Sequence, residues 1–535
     1  MRIREKRRSG GVTPGADVLS LPPSTFAFTG GRHYRDETMM IVLDILTNLF
    51  LLAMGAILLA IVAMFVIDVT QTRDAVRRNY PVVGRFRKLF STLGEFFRQY
   101  FFAMDREELP FNRAERDWVD HSSKGGDNTV AFGSTRSLTP PGTAIFVNCP
   151  YPVLDEHADR TPAVTMGPQT PHPFTAGAII NISGMSFGAI SRPAVLALSH
   201  GAKAAGCWYN TGEGGLSPYH LEGGCDIVFQ IGTAKYGVRN DDGSLNEDKL
   251  REVAAHESVR MFEIKMSQGA KPGKGGILPG AKVTDEIAEV RGIPAGEDSV
   301  SPNRHPEVAD NAELLDMIAR VRGITGKPTG IKTVIGAHGW LDDLCETIVA
   351  RGIDSAPDFI AVDSGDGGTG AAPMPLMDNV GLPIREALPM VVDALVRHGL
   401  RDRVKVIASG KLITPAEVAW AYCAGTDFVV SARGFMFALG CIQALKCNKN
   451  TCPTGITTHD RRLQKGLDPE VKSERVRNLV HKMEYGVNLI AHSCGAKHPR
   501  ALGRHHVRLV QGDGKSVSME ELYPTGEASS AIAAE

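Results

Sequence analysis

The chain has 535 residues and is almost neutral, with 59 Lys and Arg against 60 Asp and Glu. No basic excess exists to neutralise phosphates, so the composition argues against a nucleic-acid-binding protein. The length accommodates one large domain of about 250 residues or more with extensions. Six of the nine cysteines are scattered without paired spacing, which favours a reducing compartment over a disulfide framework.

The N-terminal segment combines a polar stretch with a long apolar run. Residues 1–38 are rich in Gly, Pro and Ser and precede Met39 and Met40, so we expect residues 1–38 to be disordered or not native. Residues 45–67 read ILTNLFLLAMGAILLAIVAMFVI, and about 20 apolar residues suffice for a membrane-spanning helix. The sequence therefore predicts a transmembrane helix over 39–69, in preference to a buried core helix or a signal peptide.

The charges that follow this helix predict its orientation. Two acidic residues, Asp68 and Asp74, stand against six basic ones: Arg73, Arg77, Arg78, Arg85, Arg87 and Lys88. The positive-inside rule then predicts a single-pass membrane anchor with the catalytic domain in the cytoplasm. The basic opening MRIREKRR weakens this argument.

Residues 70–175 are expected to form a juxtamembrane helix and an irregular extension. The stretch 85–105 reads as a basic, aromatic helix, which fits a helix lying on the membrane surface as well as one packing against the main domain. Residues 106–175 are rich in Pro and Gly and are expected to wrap the domain that follows.

Residues 176–514 show the pattern of a parallel sheet. Seven short apolar runs alternate with helical stretches: AIINIS, DIVFQI, MFEIKM, TGIKTVI, DFIAVDS, VKVIAS and DFVVSA. Such a pattern predicts an α/β fold, with a closed (β/α)8 TIM barrel favoured over an open doubly wound sheet. No G-x-G-x-x-G follows an early strand, which argues against a dinucleotide-binding unit. Residues 515–535 are expected to be a loose tail.

Three glycine-rich turns late in the barrel predict a ligand site. The first, AVDSGDGGTGAAP, follows a strand, and its glycines let backbone N–H groups approach a ligand. The other two, at IASGKL and DFVVSARG, follow successive strands and predict a phosphate site. Successive strand-to-glycine turns in this part of a barrel commonly bind a phosphate group. The candidate cofactor-binding residues in these turns are Asp363, Gly365, Gly367, Gly368, Ser409, Gly410, Ala432 and Arg433.

Charged residues in strands and loops predict an anionic ligand. Lys265 and Lys332 lie inside apolar strands, where lysine is rarely buried without a partner, although a strand-end lysine can also extend to solvent. Lys271 and Lys274 in the loop QGAKPGKGGILPG are placed to receive a dicarboxylate, and Glu213 lies between glycines in NTGEGG. Ordinary turn chemistry is the alternative for both loops.

Three cysteines, Cys441, Cys447 and Cys452, follow at C-x5-C-x4-C spacing, with Pro453 after the last. Thiolates bind iron well, and a Cys-Pro pair often closes an iron–sulfur loop. A zinc site that adds His459 is the alternative, but zinc sites usually use paired C-x-x-C knuckles.

The motifs taken together resemble the FMN-binding synthase domain of glutamate synthase, and in particular its short, stand-alone forms. They are ISGMSFGAISRPA, NTGEGG, EIKMSQGAKPGKGG with LPG and KV, SGDGGTGAAP, and ALGC-x5-C-x4-CPTGI, in order from about 176 to 460. The resemblance implies a (β/α)8 barrel that binds FMN beside a 3Fe-4S cluster. It also implies reduction of 2-iminoglutarate, formed from 2-oxoglutarate and ammonia, to L-glutamate.

The resemblance assigns a role to each group of residues. Those implied to contact the FMN ring are Met185, Ser186, Gln230 and Lys332. Those implied to hold its phosphate are Ser409, Gly410, Ala432 and Arg433. Those implied to hold the 2-oxoacid in catalysis are Lys265, Lys271, Glu213 and Arg291. The cluster ligands are implied to be Cys441, Cys447 and Cys452.

The sequence also departs from the family pattern. Ile277 stands where a Gln usually precedes LPG, and His459 where a Gln usually follows the cysteines, so another imine substrate, as in an N-alkylglutamate synthase, stays open. A non-catalytic electron-transfer subunit is a further alternative. From its motifs we expect neither a glutaminase nor a nicotinamide-binding unit in the chain. We therefore expect electrons from ferredoxin or a separate reductase subunit, and a separate glutaminase subunit stays open as the source of ammonia.

Overall fold

The computed structural model describes residues 31–72, 74–337 and 339–524. The chain divides into two compact units, Met1–Ala103 and Met104–Glu535. Residues 1–30, which make up most of the segment predicted to be disordered or not native, lie outside the described residues, as do Arg73 and the end of the tail.

The first unit is dominated by one long helix, Gly31–Thr70. Its part Met39–Thr70 is long and apolar enough to cross a membrane, and nearly all of its large apolar side chains are exposed rather than packed. The helix includes the predicted span 39–69 and begins eight residues earlier, so that residues 31–38 are helical.

A buried carboxylate joins the end of this helix to the segment after it. Asp68 accepts hydrogen bonds from Arg77 Nε at 2.9 Å, Arg85 Nε at 2.8 Å and the Val82 amide at 3.0 Å. Arg77 lies in the helix Ala75–Asn79 and Arg85 in the helix Gly84–Phe97, so one carboxylate ties both helices to the end of the long one. A π-helix at Arg98–Phe102 follows.

The second unit contains a closed barrel of eight parallel strands, which confirms the predicted (β/α)8 fold. The strands pair in chain order around the barrel. They are β1 (Ile180–Ile182), β2 (Tyr209–Asn210), β3 (Ile227–Ile231), β4 (Val259–Lys265), β5 (Thr329–Val334), β6 (Phe359–Asp363), β7 (Lys405–Ser409) and β8 (Phe428–Ser431). The seven apolar runs correspond to seven of these strands, and β2 was missed because it has only two residues.

Helices follow the strands and cover the barrel. They are Arg192–Ala205, Pro218–Glu222, Glu247–Ala255, Asn311–Thr325, Trp340–Arg351, Ile384–Arg397, Pro415–Ala424, Arg433–Ala438 and Pro469–Ser493. The β4 loop adds the strands Ile277–Leu278 and Ser299–Val300 and the helix Asp285–Arg291, and Arg461–Gln464 is a short helix after the cysteines. Single 3-10 turns lie at Asp155–His157, Gly212–Gly214, Gly280–Lys282, Ile353–Ser355, Pro499–Ala501 and Arg504–His506.

The barrel interior has an apolar floor and a polar top. Residues two apart on a strand share a face, and on β4 this places Met261, Glu263 and Lys265 successively toward the carboxyl end. The floor is one buried cluster to which Trp208, Phe359 and Phe428 contribute. A hairpin in the extension, Val164–Met166 with Phe174–Ala176, adds Met166 and Phe174 to this cluster and closes the floor.

The extension and the tail are more regular than predicted. The helix Arg113–Ser123 begins with a capping box formed by Asn112 and Glu115. Strand Ala144–Phe146 pairs with Val507–Val510, which also pairs with Ser516–Ser518, ahead of a final helix at Met519–Leu522. The tail predicted to be loose from 515 is therefore folded into a sheet over its first residues, because the strand at 507 offers it a second edge. The remainder, 525–535, lies outside the described residues.

Candidate active site

Strand register brings predicted site residues together at the carboxyl ends of the strands. Lys265 on β4 lies level with Lys332 on β5. Asp363 at the end of β6 lies level with Ser409 at the end of β7. In an α/β barrel this end is where active sites are built.

A cavity at this end, the main cavity, has about 1000 Å³ of space between atoms when its solvent-open part is included. It brings together predicted substrate, flavin and cluster residues. Those among its lining residues are Met185, Ser186, Glu213, Gln230, Lys265, Lys271, Arg291, Gly368, Ala432, Arg433 and Cys447.

Glu213 lies among cations at the wall of the main cavity. Its carboxylate is 3.0 Å from Lys265 Nζ, which also donates to Gln268 Oε1 at 2.6 Å. Burial opposes ionisation of Glu213, but Lys265, Lys271 and Arg291 outweigh burial and lower the pKa of Glu213. The cavity therefore contains a fixed negative charge surrounded by positive ones.

Lys271 is only 6 % exposed, and it faces the same cavity. Burial lowers the pKa of Lys271 to about 8, although the Glu213 carboxylate opposes the shift. Lys274, predicted to share the dicarboxylate with Lys271, is exposed and is not among the described residues that line the cavity. The loop therefore directs one lysine inward and leaves the other in solvent.

Arg291 ends a short helix beneath the cavity and is 3 % exposed. It donates from Nη1 to Ser299 Oγ and from Nη2 to the Phe187 carbonyl, each at 3.2 Å. The Tyr236 ring lies 5.0 Å from the guanidinium carbon. The buried Nε has no hydrogen-bond partner among the residues that the structure describes, so Arg291 keeps a donor that a carboxylate could satisfy.

A second pocket, the glycine-lined pocket of about 550 Å³, continues from the main cavity. Seven residues line both spaces: Gly184, Gln230, Lys265, Gln268, Gly368, Ala432 and Arg433. The second pocket adds residues from the ends of β5 to β8, namely Lys332, Asp363, Ser409, Gly410, Lys411, Ile413 and Ser431, together with Ser183. The predicted phosphate and ring residues thus share one continuous space.

Lys332 is a buried cation in the glycine-lined pocket. Its Nζ lies 3.5 Å from Asp363 Oδ2, and only 8 % of the residue is exposed. Burial disfavours its charge, but Asp363 and Glu263 outweigh burial and raise the pKa of Lys332. Lys332 is therefore a permanent positive charge in this pocket.

Glycine at position 410 allows the turn after β7 to lie close against Ser364. Gly410 has φ +121°, and a Cβ at this position would lie 2.2 Å from the Ser364 Cβ. Arg433 Nη2 donates to the Thr369 carbonyl at 2.6 Å and so fixes the glycine-rich loop over the pocket. Close backbone, a fixed arginine and Lys411 suit a phosphate group.

Two predicted cofactor-binding glycines are not among the described residues that line either space. A Cβ on Gly365 would lie 2.2 Å from the Gly381 carbonyl oxygen, and one on Gly367 would lie 2.8 Å from the Ser364 carbonyl oxygen. These glycines allow the loop to fold back on its own backbone.

The three cysteines line one small cavity, the cysteine pocket, together with Met436 and Thr457. Cys447, Met436 and Thr457 also line the main cavity, so they form the wall between the two. Burial raises the pKa of the Cys441 thiol. Burial likewise opposes ionisation of Cys452, but hydrogen bonding with Thr454 helps to lower the pKa of that thiol.

The thiols as placed do not form a ready metal site. Within the part of the chain that the structure describes, no group of three or more His, Cys, Asp or Glu side chains is arranged to hold a metal ion. His459 hydrogen-bonds the Gly188 carbonyl through Nε2 at 2.8 Å and does not line the cysteine pocket as described. Three sulfur donors at one cavity offer thiolate ligands, which both iron and zinc accept.

Several residues at the site were not found from the sequence. Glu263 lies beneath the glycine-lined pocket, and Lys282, 2 % exposed, donates from Nζ to the carbonyls of Ala189 at 2.8 Å and Cys447 at 3.3 Å. Alternation along β4 would have placed Glu263 on the same inner face as Lys265. Ile277, expected to alter specificity, lines the main cavity and pairs with Val300.

The chain is similar to known proteins over most of its length. Residues 153–497 match the family model described as the conserved region in glutamate synthase. A glutamate synthase large subunit-like protein of Bacillus subtilis is 38% identical over 86% of this chain and 94% of its own length. An archaeal-type glutamate synthase [NADPH] of Thermotoga maritima is 32% identical over 65% of this chain and 66% of its own length.

A solved structure of mandelate oxidase with benzoyl-formic acid is 16% identical, with a TM-score of 0.41, over 68% of this chain and 86% of that one. The family match spans well over half of the sequence, and the relative from Bacillus matches nearly end to end. The chain therefore belongs to the glutamate synthase family and is an oxidoreductase of the glutamate synthase type.

Proposed function

We propose that the protein is an FMN- and iron–sulfur-dependent oxidoreductase that reduces 2-iminoglutarate, formed from 2-oxoglutarate and ammonia, to L-glutamate. The observation that carries the proposal is the group around Glu213. One carboxylate and three cations, Lys265, Lys271 and Arg291, lie at a cavity that continues into the glycine-lined pocket. A dicarboxylate with an imine nitrogen needs that combination of charges.

The glycine-lined pocket suits FMN. The Gly410 backbone, Ser409 and Arg433 would hold the phosphate, and Lys332 would lie against the ring. A lysine that keeps its charge when buried stabilises the negative charge of a reduced flavin. FMN, when bound, supplies the hydride for the C=N bond.

The main cavity suits the oxoacid. Lys271 and Arg291 are buried cations. Each can bind a carboxylate of the substrate. Ionised Glu213 can accept a hydrogen bond from a protonated imine and keep that nitrogen positive. A positive nitrogen makes the adjacent carbon a better hydride acceptor.

The cysteine pocket suits a 3Fe-4S cluster held by Cys441, Cys447 and Cys452, because the three thiols line one cavity that shares a wall with the main cavity. Such a cluster, when bound, supplies single electrons. The external donor would be ferredoxin or a separate reductase subunit, and a separate glutaminase subunit could supply ammonia.

A second substrate class is favoured by one observation. Ile277 is 44 % exposed at the main cavity, and its cross-strand partner Val300 is 57 % exposed. An apolar edge at the cavity favours an imine made from an alkylamine, as in an N-alkylglutamate synthase, since buried methyl groups gain free energy.

The long apolar helix supports a single-pass membrane anchor with the catalytic unit in the cytoplasm. Met39–Thr70 is long enough to span a bilayer. The sequence after it is basic, and the Asp68 carboxylate with its two arginines would lie at headgroup level, where charges are hydrated.

The reaction itself can be tested directly. Chemically reduced protein mixed with 2-oxoglutarate and ¹⁵N-ammonium is expected to yield ¹⁵N-glutamate, identified by mass spectrometry. Methylamine in place of ammonium would give N-methylglutamate if the second substrate class is correct. No amino acid from either amine would contradict the proposed function.

Lys271 should set an upper pH limit for substrate binding. Lys271 is protonated below its pKa of about 8, so kcat/KM for 2-oxoglutarate should fall as pH rises through 8. Lys271→Met should raise KM by about 10–100-fold through loss of a charged hydrogen bond, and Lys271→Arg should move the decline to higher pH. Lys274→Met, on the same loop but exposed, is the control and should leave KM unchanged. A flat profile from pH 7 to 10 would contradict the role of Lys271.

Cys447→Ser should remove iron while leaving FMN in place. The iron content per chain, measured by elemental analysis, should fall. The flavin content per chain, measured by absorbance, should stay constant because the flavin pocket does not use this thiol. Cys149→Ser, away from the cysteine pocket, is the control. Zinc in the wild-type protein, or full iron in the variant, would refute the cluster assignment.

The anchor predicts membrane retention and sidedness. Wild-type protein should resist alkaline carbonate extraction, whereas a variant lacking residues 39–69 should be released, because the apolar span is the membrane contact. Protease should cleave the catalytic unit only in inverted vesicles. Release of the wild-type protein by carbonate, or cleavage in right-side-out vesicles, would reject this arrangement.

A further inference from the structure

Glu263 is a buried carboxylate on the inner face of β4, two residues before Lys265. It is 4 % exposed and lies above the apolar floor. A buried carboxylate costs free energy unless it is hydrogen-bonded, so its partners indicate what it does.

Two side-chain amides donate to the same oxygen of Glu263. Gln230 Nε2 lies 2.6 Å from Oε1, and Asn210 Nδ2 lies 2.9 Å from it. An ionised carboxylate only accepts hydrogen bonds, so each amide must turn its NH2 group to Glu263 and its carbonyl oxygen elsewhere. Glu263 therefore fixes the orientation of both amides, so that their NH2 groups face Glu263 and their carbonyl oxygens face other groups.

The carbonyl oxygen of Asn210 is used within the protein. It accepts a hydrogen bond from the Gly212 amide at 2.9 Å. Gly212 begins the 3-10 turn Gly212–Gly214 that carries Glu213. Glu263 thus supports, through Asn210, the turn that positions the carboxylate of the main cavity.

The carbonyl oxygen of Gln230 is the atom left for a ligand. Gln230 lines both the main cavity and the glycine-lined pocket. Gln230 is itself 4 % exposed, so its orientation cannot relax into solvent. Lys332, whose charge is supported by Asp363 and Glu263, lies in the same pocket.

We propose that Glu263 is a positioning residue that makes Gln230 a hydrogen-bond acceptor for the ring N–H of the bound flavin, while Asn210 transmits the same constraint to the Glu213 turn. This inference rests on the proposed function, because it names flavin as the ligand. It predicts that the pocket prefers a heterocycle with an N–H donor over one without it.

The test exchanges the side chains of Glu263 and Gln230. The affinity of the apoprotein for FMN is measured by fluorescence titration. Glu263→Gln frees the Gln230 amide to reverse and should weaken FMN binding about tenfold or more. Gln230→Glu alone sets two carboxylates against each other and should weaken it further. The double variant Glu263→Gln/Gln230→Glu restores one carboxylate and one amide, and should regain affinity to within about threefold of the wild type.

A second measurement starts with a comparison in the wild-type protein, which does not depend on the variants folding. FMN methylated at the pyrimidine-ring N3 lacks the donor, and wild-type protein should bind it at least about tenfold more weakly than FMN. The Glu263→Gln variant should bind the two flavins with more similar affinities than the wild type does. The added methyl group is the same in both proteins, so its steric effect does not account for a difference between them. The visible flavin spectrum should shift in the variant and return in the exchange.

The outcomes separate the two proposals. Wild-type protein that binds no FMN would overturn the proposed function. Wild-type protein that binds FMN, together with equal binding of the N3-methyl analogue or no rescue in a folded exchange variant, would overturn only the role of Glu263.

Discussion

The site depends on charges held inside a barrel that is apolar below them. A buried ion is tolerated only when a partner of opposite charge or several hydrogen bonds compensate for lost water. Three charged groups of the site have such partners: Lys265 has Glu213, Lys332 has Asp363, and Glu263 has two amides. Removing one member would leave the other uncompensated, so the group acts as a unit.

This arrangement also explains how neighbouring spaces can have different chemistry. The main cavity shares seven lining residues with the glycine-lined pocket and three with the cysteine pocket. Cations with one carboxylate line the first, close backbone the second, and sulfur the third. An oxidoreductase of this family needs sites for substrate, redox cofactor and electron entry, and contiguous spaces keep those sites near one another.

Much of the fold and part of the site could be predicted from the sequence. Short apolar runs and glycine-rich turns reflect local requirements of the backbone, so they can be recognised in the sequence. Lysines inside apolar strands are unusual enough to indicate a site, and Lys265 and Lys332 both line the candidate site. Tertiary contacts decided the rest. Gly365 is needed for its approach to Gly381, and strand 516–518 exists only because a distant strand accepts it. Neither constraint is visible in the local pattern.

The floor of the barrel limits the directions from which a ligand can reach the site. Met166 and Phe174 of the extension hairpin close the lower end over Trp208, Phe359 and Phe428. A core packed at crystal-like density offers no passage even to a molecule the size of ammonia. Among the described residues, the packed floor leaves the upper end of the strands, where the main cavity lies, as the side from which a ligand can reach the site.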